Sequence, residues 1–306
     1  MVKITTDTTS MLTVAEGKEL GIDLVPMTLI DGDKDYREIE EINVDEVKVL
    51  IEAGHKLTTS QPAVGEVLGL FRMANKENPI LHITMGANLS GAYSSACLAK
   101  NMLPGDIQDY ITVYESGTVC GVNWAMVNIA KDMADKGHSV EEIVKVLDHI
   151  KANDRNHMLP QDFAMVQRGG RVSEEERKLD PSLNIVPVLA FNEDKSRFVA
   201  LSVEPSLKPA VEKVIEQFKN TGVDGKYFIT IAQSYCMEDA EMAKAMLDEA
   251  FPDCSKKSSP SLQYSLFSPG QDAYPFRHSW ILQKMNFTKE WKAWKTTKLL
   301  SGGWAM

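Results

Sequence analysis

An α/β fold with a parallel sheet in its first part is predicted by three observations. Short apolar runs alternate with helical patterns through the first half of the chain. Three polar segments, Thr6-Asp7-Thr8-Thr9, Thr59-Ser60-Gln61-Pro62 and Asn88-Leu89-Ser90-Gly91-Ala92-Tyr93, follow such runs and read as helix beginnings. The length of 306 residues, 43% of them hydrophobic, suffices for two packed cores. Strand and helix in alternation give a parallel sheet with helices on its faces, and ligands of such sheets sit beyond the carboxyl ends of the strands.

In chain order, Val2 to Thr5, Leu24 to Ile30, Ile80 to Thr84 and Ile111 to Tyr114 have the length and apolar character of strands. Helical patterns lie between them at Val44 to Ala53, Ala63 to Ala74, Ala92 to Met102 and Gly121 to Lys136. Ser-Val-Glu-Glu at Ser139 opens a further helix through Ile150, with Glu142 at the reciprocal capping-box position. The rhythm then changes. Phe163 to Val166, Ile185 to Phe191, Arg197 to Val203 and Tyr227 to Ala232 read as strands, and Pro209 to Lys219 and Met237 to Ala250 as helices. A boundary near residue 155 follows, giving α/β domains at 1–155 and 156–306.

The formal charge of −10 opposes broad electrostatic capture of nucleic acid or of an anionic lipid surface. Cys97, Cys120, Cys236 and Cys254 lack paired close spacing; Cys97 and Cys120 lie in apolar neighbourhoods and read as buried thiols of a reducing compartment. Met-Val-Lys-Ile runs straight into a strand pattern without secretory features, and no apolar run reaches the length of a membrane span. A cytoplasmic protein without stable membrane insertion is expected. The chain has no G-x-x-x-x-G-K-[ST] loop and no G-x-G-x-x-G turn after a strand, the usual signals of nucleotide binding.

Composition changes at about Phe251. Residues 252–306 carry a net charge of +5 and four of the five tryptophans, leaving −15 on the preceding 251 residues. From Lys284 to Leu300 a Trp/Lys helix pattern fits a membrane interface, a helix packed on its own domain, or a sequence altered by a reading-frame change.

Several helix starts facing one crevice, each with a hydroxyl, form a receptor for a small anion, because unpaired N–H groups and the helix dipole favour negative charge. Thr59, Ser60 and Ser90 are equally what helix capping requires, and Gly91 allows close approach of a helix or a ligand. Gly169-Gly170-Arg171 read alone is a turn bearing a solvated arginine. Asp7 at a strand end is better explained as a cap than as a metal ligand, since no second carboxylate or histidine lies close in sequence. The six histidines show neither metal spacing nor a nucleophile partner.

Taken together, the segments of residues 1 to 251 resemble the DegV family of bacterial fatty-acid-binding proteins, the carrier subunits of fatty acid kinase. Thr6-Asp7-Thr8-Thr9 is similar to the family's Thr-Asp-Ser-Thr, Leu20-Gly21-Ile22 with Val25-Pro26-Met27 to its Leu-Gly-Ile and Val-Pro-Leu, and Thr59-Ser60-Gln61-Pro62 to its Thr-Ser-Gln-Pro. Leu89-Ser90-Gly91-Ala92-Tyr93 resembles Leu-Ser-Gly-Thr-Tyr, Glu115-Ser116 with Gly121 resembles its Asp-Ser and Gly, and Gly169-Gly170-Arg171-Val172-Ser173 resembles Gly-Gly-Arg-Ile-Ser. Leu183-Asn184-Ile185 and Pro187-Val188-Leu189 follow in the family's order.

The resemblance implies two α/β domains of the DegV type enclosing an acyl-chain tunnel. It implies a long-chain fatty acid as ligand, a separate kinase subunit as partner, and no catalysis or cofactor of the chain's own. Thr59 and Ser90 then take the positions of hydroxyls that hold the carboxylate, with Ser60 and Gly91 beside them and Arg171 near the headgroup. The chain departs from the family at Gly86-Ala87, Ala92 and Val186, at Val203-Glu204-Pro205 where an arginine is expected, and at Ser268 in place of the headgroup histidine. Two rival readings stand beside this one. One is an enzyme using the same anion site with His82 or Glu115 as base; the other is a diverged member that has lost ligand or partner.

Overall fold

The computed structural model describes residues 1–160, 163–168, 170–178, 180, 183, 185–225, 227–234, 236–258 and 279–286. Strand β1 (Lys3–Asp7) ends in a 3-10 turn at Thr8–Ser10 and is followed by α1 (Val14–Leu20), β2 (Asp23–Val25), β3 (Thr28–Asp31), β4 (Lys34–Arg37) and α2 (Val44–Glu52). Next come β5 (Leu57–Ser60), α3 (Val64–Phe71), β6 (Ile80–Thr84), α4 (Ala92–Asn101), α5 (Gly105–Gln108), β7 (Ile111–Glu115), α6 (Cys120–Asp135) and α7 (Val140–Asn153). The remainder comprises β8 (Arg155–Pro160), α8 (Phe163–Arg168), β9 (Val186–Phe191), β10 (Phe198–Glu204), α9 (Leu207–Asn220), β11 (Tyr227–Ser234), α10 (Met237–Ala250), β12 (Ser255–Ser258) and β13 (Ser279–Asn286).

The first sheet is parallel throughout, in the order β2-β1-β6-β7. All five residues of β6 are buried, as a central strand covered on both faces requires. Leu81 and Ile83 pack with Ile4 against α6 and α7, while Ile80 packs with Val67 and Phe71 of α3 and Ala96 and Ala99 of α4. A small antiparallel sheet, β4-β3-β5, buries Leu29 and Leu57 under Val47 and Ile51 of α2. The third sheet, β10-β9-β8-β13-β11-β12, is antiparallel except for the β11–β12 pair. One of its faces carries Leu159, Val188, Ile229 and Ile231 against α9 and α10. The other presents Met158, Leu189, Phe198 and Ala232 to Met11, Met85, Leu89, Ala92, Val119 and Cys120. That apolar seam lies at the carboxyl ends of the parallel strands.

Five expectations change. Leu24 to Ile30 is two strands in two sheets, because Pro26 has no N–H to continue the ladder and the chain leaves the parallel sheet there. Phe163 to Val166 is helical rather than a strand: Phe163 and Val166, three apart, both enter the apolar seam, and packing overrides their β propensity. Thr59 and Ser60 close β5 instead of opening a helix; α3 starts after Ala63 with no side-chain cap. Lys284 belongs to β13, and residues 287–300 of the supposed Trp/Lys helix lie outside the described residues. Cys97 is half-exposed rather than buried, while Cys120, Cys236 and Cys254 are buried, and none of the four forms a disulfide among the described residues. Among the described residues no helix is long and apolar enough to cross a membrane.

Candidate functional site

The turn after β6 carries Ser90 and is fastened from below. Gly86 N–H donates to Thr118 O (2.9 Å), Leu89 and Ser90 N–H to Gly86 O (3.0 and 3.3 Å), and Ala87 N–H to Glu115 Oε1 (2.8 Å). Glu115 also accepts from Gly117 N–H (3.1 Å) and pairs with Lys151 Nζ at 2.5 Å, so its carboxylate is a brace for this turn. Ser90 Oγ accepts from Ala92 N–H (3.2 Å), one of the unpaired donors at the start of α4. Gly91 is the N-cap of α4, with no side chain to close the helix end.

Two other segments meet this turn. A Cβ built on Gly91 would lie 3.1 Å from Gln61 Cδ, so the residue that follows β5 is packed onto the start of α4. The segment that carries Thr59 and Ser60 is thus joined to the one that carries Ser90 through Gln61 and Gly91. Alternation along β5 sends the two hydroxyls to opposite faces, so only one of them shares a side with any given neighbour. Neither is engaged in a hydrogen bond among the described residues. From 82 positions further on, Arg171 Nε donates to Leu89 O at 3.0 Å. Its backbone is held beside β10: Phe198 N–H donates to Arg171 O (2.8 Å) and Ser173 N–H to Phe198 O (3.0 Å). Burial, and then the charge of Arg197, pushes the Arg171 guanidinium below its ordinary value, which makes an anion a favourable neighbour. Thr59, Ser60, Ser90, Gly91 and Arg171 are all half-buried.

Below these groups lies a buried polar layer. Thr6 Oγ1 donates to Ile83 O (2.8 Å), and Thr8 Oγ1 donates to Glu38 and accepts from Met27 N–H (3.1 Å). Asp7 caps the 3-10 turn by accepting from Thr9 N–H (2.9 Å), as its sequence position suggests. Burial pushes Asp7 up to about 6. His82 is committed to Thr5 Oγ1 (2.8 Å) and stacked edge-on against Phe71, and burial lowers it to about 4, so it is a neutral core residue at pH 7. His82 is buried in the core, and Glu115 accepts from two backbone amides and pairs with Lys151. Among the described residues no group of three His, Cys, Asp or Glu side chains could hold a metal ion. Ser268 lies outside the described residues.

Sequence reasoning missed Gln61 as the contact that joins two turns, and Asn123, a fully buried amide whose Nδ2 donates to Thr9 Oγ1 (3.4 Å). The signal for Asn123 was available, as a lone carboxamide within the buried run from Cys120 to Met126. A cavity of about 730 Å3 lined by Asp148, Lys151, Asp154, Arg155, Phe191 and Lys195, among others, shares none of the candidate residues.

Residues 1–266 match the family model described as "Uncharacterised protein, DegV family". A DegV domain-containing protein of Listeria monocytogenes is 27% identical over 260 residues, covering 82% of this chain and 89% of the relative. One from Caldanaerobacter subterraneus is 32% identical over 228 residues, covering 73% and 79%. Among solved structures, a Thermus thermophilus DegV family protein described for its fatty acid binding superposes with a TM-score of 0.79 at 21% identity, covering 94% of this chain and 99% of that one. The Streptococcus pneumoniae fatty acid kinase B3 protein, loaded with linoleic acid, gives 0.76 at 20% identity, covering 94% and 100%.

Proposed function

The chain belongs to the DegV family, and from that premise we propose that it binds one long-chain fatty acid and presents the carboxylate to a separate kinase subunit. The observation that carries this reading is the convergence of three distant segments: Gly91 on Gln61, and Arg171 Nε on Leu89 O, at the rim of an apolar seam. An ionised carboxylate taken from water must be paired or hydrogen-bonded, and hydroxyls, helix-start N–H groups and one cation are the groups that do this. An alkyl chain of about fifteen methylenes contributes on the order of 12 kcal/mol when buried, before ordering costs. Affinity therefore comes from the chain and orientation from the headgroup.

The Thermus and Streptococcus relatives, one described for fatty acid binding and the other a fatty acid kinase B3 protein holding linoleic acid, support both the ligand and the kinase partner. A carrier role, without catalysis by this chain, fits the engagement of His82 and Glu115 elsewhere. The division into domains near residue 155 belongs to the proposal; its support is that β8 begins at Arg155 and that the six-stranded sheet draws every strand from residues 155–286.

Titration with a fluorescent fatty acid tests the site. Thr59→Val, Ser90→Ala and Arg171→Met are each expected to weaken binding by about 1–3 kcal/mol. Unchanged affinity in all three would contradict the assignment. Acyl phosphate formed from the bound lipid by a fatty acid kinase catalytic subunit with ATP, and its absence without that subunit, would support the partner.

A further inference from the structure

Asp7 and Asn123 are both fully buried, and each has one oxygen with no partner: Asp7 Oδ2 and Asn123 Oδ1. The two groups are joined through one hydroxyl. Thr9 Oγ1 donates to Asp7 Oδ1 and accepts from Asn123 Nδ2 at 3.4 Å. A buried acceptor without a donor is costly, and two acceptors cannot satisfy each other. An ionised carboxylate offers only acceptors, whereas a carboxylic acid brings one O–H donor. A single proton on Asp7 would convert the two orphaned oxygens into a donor and its acceptor.

We propose that Asp7 is a protonatable carboxyl whose neutral form directs Oδ2–H to Asn123 Oδ1, and that this proton sets the charge lying behind the candidate carboxylate site. No Lys, Arg or His of the described residues forms an ion pair with Asp7. The titratable groups on the elements packed around it are already engaged or apolar in setting. Glu38 accepts from Thr8 Oγ1, His82 on β6 is held by Thr5 Oγ1, Cys120 opens α6 inside the apolar seam, and Glu115 at the end of β7 pairs with Lys151. Burial is the largest influence on Asp7 and raises it to about 6; the hydrogen bonds from Thr9 and the Met85 backbone act in the opposite direction without cancelling it. Met85 leads directly into the turn that carries Ser90, so an ionised Asp7 would place a negative charge beneath an anion site. Neutral Asp7 leaves the headgroup of an acid ligand unopposed. On the reading under Proposed function, ligand binding is then accompanied by proton uptake at Asp7, and affinity falls as pH rises above about 6.

The proton is tested without ligand. Difference infrared spectra of the full chain, titrated from about pH 5 to 8, are expected to show a protonated-carboxyl C=O band that fades with rising pH and is missing in Asp7→Asn. The sign of the stability linkage follows from the same shift. The folded value lies above the unfolded one of about 3.9, so native protein binds more protons between them, and this group's stabilisation falls as pH rises through that interval. Asp7→Asn removes that slope in urea denaturation. Asn123→Ala, which deletes the acceptor, is expected to move the band's midpoint to lower pH. A wild-type spectrum lacking the band throughout, or a midpoint unmoved in Asn123→Ala, would overturn the assignment. The linkage is tested with dansyl-labelled undecanoate: its Kd is expected to rise roughly tenfold between pH 6 and 8 in the wild type and to stay level in Asp7→Asn. A level wild-type profile would refute the coupling while leaving the proton in place. Failure of the probe to bind at any pH would instead count against the carboxylate site and leave the infrared result standing.

Discussion

Lys195 shows how strongly single side chains are committed in this protein. Its backbone takes the left-handed conformation (φ 55°), and Nζ donates to Lys151 O (2.7 Å) and to the carboxylate of Asp154, whose side chain is 0% exposed. Burial raises Asp154 and the Lys195 charge opposes the rise. Lys195→Met strands that carboxylate and should cost about 3–5 kcal/mol in urea denaturation, whereas Lys195→Met with Asp154→Leu should recover most of the loss. Equal stability of single and double variants would show that the pair is not coupled. At this scale the sequence spoke unevenly. Thr59, Ser90 and Arg171 stood out because each lies in a compact motif, although Thr59 closes β5 rather than opening a helix. The contacts of Gln61 and Asn123 were not readable, because their partners, Gly91 and Thr9, are distant in sequence and only the folded chain brings them together.

Among elements, the ones most legible were those whose ends carry their own signals. The Ser139–Glu142 capping box opens α7 as expected, α10 occupies Met237–Ala250, and β6 occupies Ile80–Thr84. Another capping box, Thr13 with Glu16, opens α1 and was readable but unused. Failures came where tertiary packing decided the outcome, as in α8, or where Pro26 divided an apolar run between two sheets. The joint between β5 and α4 is the element-level feature on which the candidate site depends. Any Cβ at Gly91 meets Gln61 at 3.1–3.4 Å, so Gly91→Val should force the two turns apart. Fatty acid affinity is expected to drop at least tenfold, while stability falls by only about 1–3 kcal/mol. A variant that binds as tightly as wild type would show that the joint does not shape the site.

For the whole molecule, the alternation of strands and helices correctly forecast the parallel sheet, its covering helices and the mixed α/β class. The tail was harder to read. Its basic, Trp-rich composition gave a helix pattern from Lys284 to Leu300 open to several readings; its first three residues belong to β13 (Ser279–Asn286), placed between β8 and β11 inside the six-stranded sheet and beyond the residues matched by the family model, and the rest lies outside the described residues. Composition reports charge and bulk, whereas strand pairing is set by backbone hydrogen bonds that many sequences can make. The most direct test of the fatty acid reading is mass spectrometry of lipid released from the purified full chain. One long-chain fatty acid per protein molecule is the expected result. No acyl ligand, together with no rise in melting temperature on adding oleate, would contradict it.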